Sequence, residues 1–192
     1  MAGITKGAAE TALMEAARRV LPGGTFGNFA ADIVIAEGRG GHVRDVSGND
    51  YIDYLLGSGP MFIGHNHPAV TEAVLAQIPR GTTFFANSEP GIRLAEAIVE
   101  AVACAEQVRF VSSGSEADAY AMRLARAVSG RPKIVKFEGG YHGMSDWGMM
   151  SLAPKRLANF PEAVAGSPGI PEAIRHGVLV APFSDLGAPL RL

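Results

Sequence analysis

Residues 108–147 constrain the fold more than any other part of the chain. Residues 108–111 form a short apolar run, V-R-F-V, that ends abruptly in Ser112-Ser113-Gly114-Ser115. A helical pattern follows. Ala117, Ala121, Leu124, Ala125 and Val128 share one face, while Glu116, Asp118, Arg123 and Arg126 mostly face away. Ser129-Gly130-Arg131-Pro132 ends that helix, with glycine and proline where a C-terminus takes them. Ile134, Val135 and Phe137 supply a second strand, and Gly139-Gly140 turns the chain into Tyr141-His142-Gly143. A strand–helix–strand unit of this kind builds a right-handed crossover in a parallel sheet. The expected sheet holds strands near Val108, Ile134 and Val178, with the 114–129 helix packed on it.

The chemistry of this unit lies at the strand-to-helix turn. Ser113 is placed to cap the helix, and Gly114 and Ser115 expose backbone N–H groups at its positive end, which is an anion site. Glu116 and Asp118 follow in the first turn; they suit the helix dipole and are expected to point outward, since inward carboxylates would repel an anion. The same residues also fit an ordinary capped helix.

Three strings, S-S-G-S-E-A, R-L-A-R-A-V-S-G-R and K-F-E-G-G-Y-H-G, occur here in that order. Together they resemble the class-III, fold-type-I pyridoxal-phosphate aminotransferases, and within them the glutamate-1-semialdehyde 2,1-aminomutases. The resemblance implies an α/β fold: the first part of a fold-type-I transferase, a mostly parallel sheet flanked by helices, with a small antiparallel meander before it. It implies pyridoxal 5'-phosphate as cofactor. Ser113, Gly114 and Ser115 then hold its phosphate, Tyr141 stacks on its ring beside His142, and Ser58 and Gly59 approach its substrate side. It further implies amino-group transfer between small molecules by a homodimeric parent enzyme.

Elsewhere the resemblance is carried by shorter matches. Ala8–Val20 reads as an amphipathic helix ended by Leu21-Pro22-Gly23-Gly24. In aminomutases the loop that follows carries a substrate-binding arginine; here it is Thr25-Phe26-Gly27-Asn28-Phe29-Ala30, without a cation. Residues 33–37, 42–46 and 51–54 are short strands around the turn Ser47-Gly48-Asn49-Asp50. D-V-S-G-N-D-Y-I-D-Y resembles a structural string of the family. L-L-G-S-G-P-M-F-I-G-H-N-H-P lacks the family's aromatic residue after Ser58. His65 and His67 alternate as a metal pair would, but no third ligand is suitably spaced, and the resemblance gives them a structural role. Helices are expected from Pro68 to Gln77 and from Pro90 onward. Residues 149–165 read mostly as loop, and 177–183 as an apolar strand. The expected division is 1–60, the N-terminal helix, meander and start of the substrate-side loop, and 61–192, the first part of the cofactor-binding domain.

Composition excludes several classes. Apolar residues make up 47% of the chain and charged residues 19%, as in folded proteins. The formal charge of −2, with no basic run, implies neither nucleic acid nor an anionic membrane as partner. No apolar run of membrane-spanning length and no apolar leader core is visible, so the cytoplasm is expected. Cys104 lies in A-V-A-C-A and is expected to be a small buried residue.

Pyridoxal-phosphate chemistry needs a Schiff-base lysine and an acid that keeps the pyridine nitrogen protonated. The lysines are Lys6, Lys133, Lys136 and Lys155, and none stands in the family's Schiff-base position. The chain therefore reads as an N-terminal portion of such an enzyme, with no catalytic residue of its own. A non-catalytic phosphate- or partner-binding protein derived from this fold remains the alternative, and a different phospho-ligand at the S-S-G-S turn a third. A Walker P-loop is not present, because no G-K-[ST] follows.

Overall fold

The computed structural model describes residues 5–27, 32–153, 160–185 and 187. They divide into two compact units, Met1–Ser88 and Glu89–Leu192.

The first unit begins with helix α1, Ala8–Val20, followed by a three-stranded antiparallel meander: β1 Ile35–Arg39, β2 His42–Asp45 and β3 Asp50–Ile52. Polar groups tie the helix to the meander. Glu10, only 2% exposed, accepts the Val34 amide at 2.9 Å through one carboxylate oxygen and the Ser47 hydroxyl through the other. Ser47 Oγ also accepts the Gly7 amide at 2.8 Å, in front of the first helical turn. The turn itself is organised by buried Asp45, which accepts the Asn49 amide (2.8 Å), the Asn49 side-chain NH2 (2.7 Å) and the Tyr51 hydroxyl (2.8 Å). Burial pushes the Asp45 carboxyl up, but these hydrogen bonds outweigh it and hold the group below the usual carboxylate range. Gly48 supplies the left-handed φ of +88° that the turn needs. The string 45–54 is therefore a hydrogen-bonded brace, which is why so many of its positions are polar although it joins two strands. Of the loop at 25–30, residues 28–30 lie outside the described residues.

Helix α2, Pro68–Gln77, starts with proline at its first position, where a missing N–H costs nothing. Helix α3, Glu89–Ala101, opens the second unit. Cys104, expected to be buried, is exposed: the helix stops at Ala101, and the cysteine sits on the turn that follows, with no layer packed over it among the described residues.

In the second unit, α4 runs Gly114–Ser129, β4 Ile134–Phe137, a single-turn α5 Glu172–Arg175, and β5 Val178–Ala181. β4 and β5 pair in parallel, Ile134 opposite Val178 and Phe137 opposite Ala181, as the sequence leads one to expect. The third expected strand is not formed. Residues 107–111 carry no ladder among the described residues, because an extended run becomes a strand only when a neighbour takes its N–H and C=O groups. α4 turns a mixed face toward β4, with Asp118 and Met122 lining a cavity with Ile134 and Val135. Its half-buried stripe is Ser115, Asp118, Ala119, Met122 and Arg126. The alternative, apolar face stands open, with Leu124 65% and Val128 81% exposed. Along its first turns Arg109 and Val111 line an open cavity with Ala117, Ala121 and Leu124, but they leave that face uncovered.

A small core of Met150, Ala163, Val178 and Val180, with Trp147, Ile170 and Ile174 packed around it, anchors the segment between β4 and β5. Ser151 N–H donates to Val164 C=O (2.7 Å) and the Val164 amide to Ser151 Oγ (3.0 Å), so residues 149–151 lie along 164–166. No helix among the described residues is long and apolar enough to cross a membrane.

Candidate functional site

The start of α4 is built as a capped turn. Ser113 is extended (φ −150°, ψ 159°) and its Oγ accepts the Glu116 amide at 3.3 Å. The Glu116 carboxylate does not simply face solvent; it folds back and accepts the Ser112 amide at 2.7 Å, so cap and acid close the turn reciprocally. Its negative charge is thereby held on the chain entering the helix. The amides of Gly114 and Ser115 make no hydrogen bond to a protein acceptor among the described residues, as expected of first-turn donors. A Cβ built at Gly114 would meet nothing within 4 Å, so the space beside these donors is open. Two unspent amides, two serine hydroxyls with a proton to donate and a helix dipole form a donor set suited to a phosphate.

The second half of the site docks on the first. Gly143, at φ +76°, lies so close to Ser115 that a Cβ there would stand 2.5 Å from the Ser115 Cα and 2.6 Å from its Oγ. The next residue, Met144, donates its amide to Ser115 Oγ at 3.0 Å. The structure thus brings Ser113, Gly114 and Ser115 together with the Tyr141-His142-Gly143 segment. Tyr141 is 59% exposed, so its ring is free to be covered by a ligand. His142 is half-buried and lines a cavity of about 190 Å³ with Asp118, Met122, Lys136 and Trp147. Sequence alone gives Gly143 and Met144 no role, because what they do depends on a contact with a residue 28 or 29 positions earlier.

Ser58 and Gly59 belong to the first unit, in a tight turn where Leu56, Gly57, Ser58 and Gly59 all have positive φ (46°, 65°, 64° and 114°). Two of these are not glycine, and such backbone must be held in place by its surroundings. Asp53 does this. It accepts the amides of Leu55 (2.8 Å) and Leu56 (3.0 Å), and His65 Nε2 donates to its other oxygen at 2.7 Å. The His65 hydrogen bond, with the Leu56 amide next, holds the Asp53 carboxyl below the usual carboxylate range against the opposing effect of burial. His65 also exchanges both backbone hydrogen bonds with Gly40, each 2.8 Å. Through Asp53 and Gly40 it braces the 55–59 turn, a role the spacing H-N-H does not disclose.

The described lysines are otherwise occupied or solvent-facing. Lys6 pairs with Asp32 at 2.6 Å, Lys133 is exposed, and Lys136 is buried with its ammonium on backbone carbonyls. Lys155 lies outside the described residues.

The model for class-III aminotransferases matches residues 26–177. The glutamate-1-semialdehyde 2,1-aminomutase of Nitratidesulfovibrio vulgaris is 40% identical over 187 residues, covering 94% of this chain and 43% of that protein. Among solved structures, an omega-transaminase from Sphaerobacter thermophilus superposes with a TM-score of 0.88 at 38% identity, covering 96% of this chain and 44% of that one. A transaminase with pyridoxal phosphate bound gives the same TM-score at 33% identity, covering 98% and 44%. The chain thus spans less than half the length of the relatives it matches. With a family match over most of its residues and the same fold in those structures, the chain belongs to the class-III aminotransferase family.

Proposed function

We propose that these residues form the phosphate-holding and ring-stacking part of a pyridoxal-phosphate site in an enzyme that transfers amino groups between small molecules. The observation that carries this reading is the docking of residues 141–144 on the Ser113–Gly114–Ser115 turn through Gly143 and the Met144–Ser115 hydrogen bond. It sets an exposed tyrosine ring on the segment that rests against an open set of anion donors. Gly114 and Ser115 would hold the phosphate by their amides, with the Ser113 and Ser115 hydroxyls as further donors; Tyr141 would cover one face of the ring, with His142 beside it. Bound there, the cofactor supplies an electron sink that lets the proton on the carbon bearing an amino group be moved. This chain's share is to bind, orient and cover it. On this reading none of Lys6, Lys133, Lys136 and Lys155 moves the proton, because none stands in the Schiff-base position that the resemblance implies.

Amino transfer is favoured over the 2,1-exchange of a glutamate-derived substrate. An aminomutase of that kind would read the substrate carboxylate with a cation in residues 25–30, and T-F-G-N-F-A has none. Glycine instead of an aromatic after Ser58 also opens the substrate side to a different group. The whole enzyme, on this reading, is a homodimer.

The test is to titrate the purified chain with pyridoxal phosphate, following the emission of Trp147, the single tryptophan. Saturable binding that inorganic phosphate competes away, without turnover of an added amino donor, is the expected result. No binding at millimolar cofactor would overturn the site. Turnover accompanied by borohydride labelling of Lys133 or Lys136 would overturn the division of labour.

A further inference from the structure

A lysine inside a protein needs a reason, because an apolar side chain of the same size packs there without losing hydration. Lys136, in the middle of β4, is only 6% exposed. It has no carboxylate partner among the described ion pairs. Its ammonium instead donates to two backbone carbonyls, Gly148 at 3.0 Å and Met150. Both belong to the segment that leaves Tyr141 and His142 and returns to the core.

That segment is held at three places. At its base, the Gly139 amide donates to Ser151 C=O at 2.9 Å, closing residues 139–151 into a loop. At its far side, Gly143 and Met144 rest on Ser115. Between the two, the Lys136 ammonium holds the returning strand of the loop against β4. Gly148 has no room to adjust by itself: a Cβ there would stand 2.3 Å from the His142 carbonyl oxygen. The backbone at 148 is therefore packed directly on the backbone at 142, and whatever fixes one fixes the other.

We propose that Lys136 is a positioning residue for the cofactor site, its buried ammonium holding residues 139–151 so that Tyr141 and His142 are presented beside the Ser113–Gly114–Ser115 turn. The inference rests on the cofactor reading above. It assigns the lysine of K-F-E-G-G-Y-H-G a part that is neither covalent nor in contact with the ligand. The charged or titratable groups lining the same cavity are Asp118 from α4 and His142 from the loop itself. Burial also holds the Lys136 ammonium below the ordinary lysine pKa, so it loses its charge at a lower pH than an exposed lysine would. A neutral amine binds carbonyls less strongly than an ammonium, so the loop should loosen at alkaline pH, before ordinary lysines titrate.

Trp147 reports directly on the loop, because it immediately precedes Gly148 and lines the same cavity. The experiment compares the chain with Lys136→Met and Lys136→Arg. The readouts are far-ultraviolet circular dichroism, acrylamide quenching of Trp147, the pH profile of its emission, and affinity for pyridoxal phosphate. Lys136→Met should keep its secondary structure, lose the alkaline transition in Trp147 emission and show stronger quenching. Its affinity should fall about tenfold or more, the worth of a charge-assisted hydrogen bond. Lys136→Arg should recover part of both affinity and quenching protection. Wild-type quenching and affinity in Lys136→Met would overturn the proposal, and so would loss of its circular dichroism signal, which would make the lysine a stability residue only. Should the unmodified chain fail to bind the cofactor at all, the cofactor reading falls, while the quenching and pH profile still decide whether Lys136 holds the loop.

Discussion

Gly114 separates what the protein needs from what its ligand needs. It is the first residue of α4, its φ lies outside the left-handed region, and an added Cβ would meet nothing within 4 Å. Gly114→Ala should therefore leave the protein intact or stabilise it by about 0.4–1 kcal/mol, through reduced freedom of the unfolded chain. Gly114→Val adds a helix-propensity penalty of only a few tenths of a kcal/mol, roughly cancelling that gain. The ligand's account is different. A hydrogen bond from a backbone amide to a charged phosphate is worth about 1.5–3 kcal/mol, so displacing the phosphate from one amide lowers affinity by roughly ten- to 150-fold. Tyr141→Ala should cost less, about two- to twelvefold beyond the lost area, since stacking adds only about 0.5–1.5 kcal/mol. Thermal melts followed by circular dichroism supply the stability arm and Trp147 titration with pyridoxal phosphate the binding arm. The expected signature is an unchanged melting temperature with a large loss of affinity in Gly114→Val. Wild-type affinity in that variant would refute the placement of the phosphate, and a lowered melting temperature would refute the claim that the space is open.

Two further outcomes follow from the contacts of Gly143 and Asp53. Gly143→Ala combines a left-handed backbone penalty of about 1–2 kcal/mol with an overpacking cost of about 1–3 kcal/mol against Ser115, so urea unfolding should show a loss of about 2–5 kcal/mol; a change below about 1 kcal/mol would mean that the loop does not rest on the turn. Asp53→Asn should destabilise the chain at neutral pH. Because the folded pKa of Asp53 lies below its unfolded value of 3.8, its contribution is complete above that value and is lost as pH falls through the lower, folded one. The gap between the two proteins in denaturant melts should accordingly close in acid; a gap that stays constant down to pH 2 would show that the carboxylate's charge is not what braces the 55–59 turn.

Local chemistry made much of this chain legible. Helix α1 ends where Leu21-Pro22-Gly23-Gly24 says it should, and α4 begins at a serine cap and stops at Gly130 in the left-handed conformation, because caps and stops act over a few residues. The parallel pairing of β4 and β5 was also readable, since apolar β-branched runs separated by a long crossover have few other ways to pair. What the sequence could not decide was which faces find a cover. Leu124 and Val128 are spaced as a core face and stand exposed, V-R-F-V is written as a strand and joins no ladder among the described residues, and Cys104 lies in an apolar run and is exposed. Periodicity reports what a face would bury, whereas burial needs a partner brought to it by tertiary contacts. The same limit applied to the polar residues. Lys136 reads as one of two cations flanking a strand, and Asp53 and His65 as parts of separate strings. Only the fold turns the first onto the carbonyls of Gly148 and Met150 and brings the other two to 2.7 Å, because each contact joins residues a dozen or more positions apart.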